Sequence, residues 1–159
     1  MRRDPTVDIE IRALGPCDGE LLLNAALGVF DNPPHPKLTA EFLSDPRHHI
    51  VVALRSGQVV GFISALHYVH PDKGAELWLN EVSVASPHQN HRIGHRMLQD
   101  MLAHGRQLGC RCAWVLTDGA NTPAMRLYAA AGGVPEPTPS ILFEFELTPI
   151  TSNSTCDAA

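Results

Sequence analysis

The chain has 159 residues, 44% of them apolar and 18% charged, with a formal net charge of −5. That length and apolar content describe one globular domain with a sizeable core and exclude a disordered chain. The negative balance argues against a general nucleic-acid binder, which needs a basic face, and agrees with a cationic small-molecule partner.

In chain order, VDIEIRAL (residues 7–14) alternates apolar and polar residues, as a half-buried strand does. CDGELLLNAALGVF (residues 17–30) has apolar residues at helical spacing, with Asp18 as its N-cap. DNPPHP (residues 31–36) stops that helix, because proline lacks the N–H that a helix interior needs. KLTAEFLSDP follows as a short second helix. HIVVAL and QVVGFISALHYV flank the turn RSGQ and predict an antiparallel hairpin. AELWLNEVSV (residues 75–84) is a long strand; strict alternation puts Leu77, Leu79 and Glu81 on one face and Trp78, Asn80 and Val82 on the other, unless a β-bulge changes the parity.

SVASPHQNHRIGHRML (residues 83–98) then hands the strand over to a helix marked by Ile93, Met97, Met101, Leu98 and Leu102 and stopped by Gly109. CAWVLT is another strand. Asn121 or Thr122 caps the next helix, with Pro123 in its first turn and Gly132-Gly133 at its end. SILFEFEL (residues 140–147) reads as a last alternating strand. The order β-α-α-β-β-β-α-β-α-β is an α/β (α+β) domain, a mixed and mostly antiparallel sheet of six to seven strands flanked by about four helices. The domain is expected over residues 1–147, with a polar, loose tail over 148–159.

Neither a signal-peptide pattern nor a long apolar span is present, so the expected location is the cytoplasm, away from membranes. Cys17, Cys110, Cys112 and Cys156 have no zinc spacing, and the nine histidines are scattered. His91 and His95 are four apart, without the acid of a zinc-protease helix, so no metal is expected.

The donor-rich stretch at residues 83–98, and a second segment with Asn121, Ala124, Tyr128 and Gly132, resemble the GCN5-related N-acetyltransferase (GNAT) family. The likeness covers residues 7–147. The family's Gln/Arg-x-x-Gly-x-Gly/Ala pattern falls on Gln89, Asn90, His91, Arg92, Ile93 and Gly94. It implies acetyl-CoA as cofactor, its diphosphate on the helix N-terminus, where unpaired N–H groups and the dipole favour an anion. Cofactor-binding residues implied by the likeness are Val82, Ser83, Val84, Gln89 to His95, Asn121, Ala124 and Tyr128. Arg92 stands at the first glycine position. A helical residue there has no need of positive φ, and its guanidinium either pairs with a phosphate or obstructs the loop.

By the same resemblance Glu81 is the base that takes the amine proton and Tyr128 the acid that protonates the departing thiolate. The plainer readings are a surface carboxylate and a core tyrosine. Backbone N–H near Val82 is the expected oxyanion donor if the strand splays from its neighbour there. GVFDNP, AELWLNEVSV, NTPAMRLYAAAG and LFEFEL together look similar to the small aminoglycoside 3-N-acetyltransferases of the family. An acceptor with several ammonium groups suits acids, and the candidates are Asp31, Glu76, Glu81, Asp118, Glu144 and Glu146, with Glu41 also nearby. Glu144 and Glu146 alternate with Phe143 and Phe145 and would form an anionic wall if they face the cleft. Other acceptors stay open at this level: a polyamine, an amino-sugar metabolite or a protein amine. So does an acetyl-CoA-binding module without catalysis. A homodimer is expected by analogy only.

Overall fold

The computed structural model describes residues 8–138 and 140–147. Its elements are β1 (Ile9–Ala13), α1 (Gly19–Leu23), α2 (Pro36–Ser44), β2 (His48–Arg55), β3 (Gln58–Tyr68), β4 (Glu76–Val84), α3 (Ile93–Gln107), β5 (Cys112–Val115) and α4 (Thr122–Ala130). The sheet runs β1-β2-β3-β4-β5, antiparallel except for the parallel β4–β5 pair. The β2–β3 hairpin turns on Ser56 and Gly57, both at positive φ (50° and 79°), which matches the right-handed twist of the strands.

Helix α3 covers one face of the sheet. Its Ile93, Met97, Leu98 and Met101 are buried against Val51, Ala53, Ile63, Ala65, Leu77 and Leu79. The opposite face of β2 and β3 is covered by α1, α2 and the loop between them, through Leu22, Val29, Leu43, Val52, Val59 and Phe62. The sheet therefore has two cores, one on each side.

Three expectations are corrected. The first helix ends at Leu23 and does not reach Phe30. Asn24 and Ala26 bond instead to the β3 backbone, with Val59 N–H donating to Asn24 O and Ala26 N–H to Val59 O, so sheet pairing wins over helix propensity. Asp18 stands at the N-cap position, but its carboxylate bonds to Gly15 N–H and Arg12 rather than to the helix. The described sheet has five strands and not six to seven, because residues 140–147 are in no strand and lie exposed. The tail expected from Thr148, and the Val7 end of the first strand, lie outside the described residues. No described helix is long and apolar enough to cross a membrane.

A histidine chain crosses the α3 face. His49 on β2 meets His67 on β3 (Nε2 to Nδ1, 2.7 Å) and His104 on α3 (Nδ1 to Nε2, 3.0 Å). Burial, and then the charges of His104, His67 and His48, push the His49 imidazole down to about 4. Unfolding releases it to an ordinary value near 6.5, so the unfolded chain binds the extra proton between those pH values and stability drops as pH falls from 6.5 toward 4. Because His49 is only part-buried, the expected loss is about 1–2 kcal/mol. Thermal melts at pH 7 and pH 4.5 should show that increment in the wild type and its absence in His49→Leu.

Candidate active site

The sheet opens along β4. β5 pairs with Glu76–Leu79 only, through Cys112–Val115, so from Asn80 to Val84 the outer edge of β4 has no described strand beside it. Val82 lies within this unpaired stretch. A bulge falls at the same place: Ala65 pairs with Leu79 while Ser64 pairs with Glu81, which leaves Asn80 as the extra residue on β4.

The bulge reverses the simple parity of the strand. Leu77 and Leu79 face α3, and beyond the bulge Val82 and Val84 do so too. Glu81 is thereby moved to the opposite face, with Trp78 and Ser83 and beside Phe62 of β3. On that face Phe30 of the α1–α2 loop stacks on Phe62 with ring centroids 4.2 Å apart, and the loop holds Asp31 near enough for its charge to act on Glu81. Desolvation, and secondarily the Asp31 charge, raise the Glu81 pKa above the usual carboxylate value. Glu81 is nonetheless exposed on that face, so the shift reflects partial desolvation by its neighbours.

The loop after β4 forms a 3₁₀ turn at Ser86–His88, then passes through two left-handed residues, Asn90 (φ 63°) and Arg92 (φ 59°), into α3. The expectation that Arg92 keeps negative φ is wrong. It is the N-cap of α3 in the left-handed region, where arginine is strained by roughly 1–2 kcal/mol relative to glycine, and its side chain is exposed. Its side chain makes no cap bond. The first bond of α3 runs from Arg96 N–H to Arg92 O, so the amides of Ile93, Gly94 and His95 precede it. Gln89 does not extend toward a ligand; its Nε2 donates to Val84 O at 2.9 Å and braces the loop. His91 lies before the helix, so it shares no helical face with His95, whose Nε2 is 3.3 Å from Ala130 O. Among the described residues no cluster of metal-binding side chains is formed.

Helix α4 lies along α3, with Leu127 against Gly94. Asn121 caps it, accepting from Ala124 N–H at 3.2 Å, so this asparagine builds the helix end. Tyr128 is half-buried beside the α3 core, and burial raises its hydroxyl pKa, which keeps it protonated at neutral pH.

The other acids are less free than their sequence positions suggest. Glu76 is bound to Lys73 and to the Tyr68 hydroxyl (3.0 Å), with His70 Nε2 3.8 Å away, and the Lys73 and Tyr68 bonds hold its carboxyl below the usual range. Asp118 accepts from Ala120 N–H in its own turn. Glu144 and Glu146 are exposed and outside the sheet, so no anionic wall forms. Asp31 and Glu81 are the two candidate acids that the fold brings together. What sequence reasoning missed is the face of Glu81 and the histidine chain: the first turns on one unpaired residue, the second on three strand and helix positions far apart in the chain.

Residues 20–132 match the Acetyltransferase (GNAT) family. Similar solved structures include an aminoglycoside acetyltransferase, meta-AAC0020, from an uncultured soil metagenomic sample, at 17% identity and TM-score 0.75 over 89% of this chain and 97% of that one. The aminoglycoside N-acetyltransferase AAC(6′)-Iy in complex with CoA is 20% identical, with TM-score 0.70 over 88% of this chain and 95% of that one. A ribosomal-protein-alanine N-acetyltransferase from Brucella melitensis is 15% identical, with TM-score 0.68 over 86% and 99%. No curated protein sequence matches the chain. With 113 consecutive residues matched, spanning the loop, the splayed strand and both flanking helices, the chain belongs to the GNAT family of acetyl-CoA-dependent acetyltransferases.

Proposed function

We propose that this protein transfers an acetyl group from acetyl-CoA to an amine of an aminoglycoside, the 3-N amine by the sequence likeness, with Glu81 as the base and Tyr128 as the acid. The observation that carries the reading is the placement of Glu81: the bulge at Asn80 puts a carboxylate of raised pKa on the open face of the sheet, within reach of the Asp31 charge. A base poised closer to neutrality than an ordinary carboxylate suits removal of a proton from an ammonium.

Bound acetyl-CoA supplies the activated acetyl thioester. The residues fit it: Ile93, Gly94 and His95 present backbone donors to a diphosphate, and the unpaired edge of β4 presents backbone groups to an amide-bearing arm. Asp31 and Glu81 hold and deprotonate the amine, and Tyr128 holds a proton for the leaving sulfur. The glycine at position 94 supports the same assignment. A Cβ added there meets Leu127 and Val84 no closer than 3.7 Å, an ordinary contact, and its φ is not in the left-handed region. The fold itself therefore has no need of glycine here; a ligand that approaches the backbone does. Gly94→Ala is expected to leave stability unchanged or raise it by about 0.5 kcal/mol, while raising KM for acetyl-CoA by about tenfold. Thermal melts together with acetyl-CoA saturation curves check both halves.

A thioester-release assay against sisomicin, gentamicin, spermidine and an alanine-initiated peptide tests the reading. Turnover confined to the aminoglycosides supports it, and NMR of the product assigns the amine. The likeness to a ribosomal-protein-alanine enzyme makes the peptide the main competitor, and turnover of the peptide or spermidine alone would overturn the proposal.

A further inference from the structure

The face of β4 and β5 opposite α3 carries a second organised surface. α1 and α2 cover β2 and β3, and no helix packs on that face of β4 and β5 among the described residues. In place of a helix it has two indoles. Trp78 on β4 and Trp114 on β5 are paired in register, and their rings stack with centroids 5.6 Å apart and planes 14° from parallel. Trp114 is 36% exposed. Its Nε1 donates to the Tyr68 hydroxyl (2.9 Å), which in turn donates to Glu76 (3.0 Å). Lys73 and His70 complete the shell of Glu76. Four side chains thus fix the orientation of an indole that the core does not bury.

Trp78 and Glu81 lie on the same face of one strand, opposite Leu66 and Ser64 of β3, which are two residues apart, so the platform sits roughly 7 Å along the strand from the carboxylate. We propose that Trp78 and Trp114 form a stacking platform for a saturated, cation-bearing ring of the acceptor, next to the ring whose amine is held at Asp31 and Glu81. The chemistry that recognises such a platform is the apolar C–H face of an aminocyclitol or amino-sugar ring, with its ammonium group over the indole. Glu76 acts through Tyr68 as a positioning residue; its own charge is taken up by Lys73. The inference rests on the proposed aminoglycoside acceptor and specifies how that acceptor is gripped: one ring at the carboxylates, the next on the indoles.

The chain contains only these two tryptophans, so its indole fluorescence reports the platform alone. The test is titration of the wild-type protein, without acetyl-CoA, with sisomicin, with the single-ring 2-deoxystreptamine and with spermidine, alongside steady-state kinetics of Trp114→Ala and Trp78→Phe. Saturable change in emission with sisomicin and none with spermidine is expected. Trp114→Ala should raise KM for sisomicin about tenfold, with kcat within twofold and KM for 2-deoxystreptamine unchanged; Trp78→Phe, which keeps a ring, should raise it less. Circular dichroism confirms that each variant is folded, and the wild-type titration needs no variant. Turnover of sisomicin with no change in emission and no change in KM overturns the platform and leaves the acetyl-transfer reading intact. A saturable response to sisomicin without turnover upholds the platform and removes that reading. No response and no turnover overturns both.

Discussion

Glu81→Gln should lower kcat/KM at pH 7 by about 100-fold, with the deficit shrinking as pH rises. Glutamine keeps the shape and one acceptor oxygen but takes no proton, so the variant depends on the small fraction of acceptor amine that is already neutral. That fraction grows tenfold per pH unit until the amine titrates. The wild type instead gains activity as Glu81 ionises, and its raised pKa sets that limb above the range of an ordinary carboxylate. The stability of the two proteins should move the other way. A carboxyl whose pKa is raised by folding binds its proton more tightly in the native state, so stability is lost as pH rises through the folded value. At pH 7 the native wild type carries that cost and the glutamine variant does not. Glu81→Gln is thus expected to melt higher than the wild type at pH 7 and equally at pH 4. A rate profile from pH 6 to 10 with paired melts settles the matter; equal rates throughout would take Glu81 out of the mechanism.

Tyr128→Phe is the second large effect, about 10- to 100-fold in kcat with KM for acetyl-CoA nearly constant. Phenylalanine fills the same half-buried place beside the α3 core, so the fold loses nothing but a hydroxyl. The burial that raises the Tyr128 pKa keeps the proton on oxygen across the working range, as a general acid requires. The split between kcat and KM separates the two roles open to this residue: a packing tyrosine would shift the melting temperature and spare turnover. Full activity in Tyr128→Phe would return the residue to the core.

Most of the architecture was readable because its signals are local. The Ser-Gly turn, the spacing of Ile93, Met97 and Met101, Asn121 as a cap and Gly109 as a stop each depend on residues within a few positions of one another. The misreadings come from pairing over distance and from side chains claimed by near neighbours. The first helix is cut short because Asn24 and Ala26 bond to Val59, more than thirty residues on. The face of Glu81 follows from a register shift that alternation within β4 cannot display. Arg92 adopts a left-handed backbone at the N-cap of α3, a conformation its residue type does not announce. Gln89 and Glu76 have the right chemistry for ligands, but the loop carbonyl of Val84 and the Lys73 ammonium claim them first. The alternating pattern of residues 140–147 marks strand-forming residues, and no partner strand among the described residues takes them.

The single extra residue at Asn80 also limits how this enzyme can be re-engineered. Exchanging β4 for the equivalent strand of a relative without that residue would turn everything beyond it by half a pleat. Glu81 would then point into the core beneath α3, and Val82 would point to the opposite face. Grafts meant to change acceptor choice should therefore carry β3 and β4 together as one cassette, with the offset between Ser64 and Ala65 preserved as its seam.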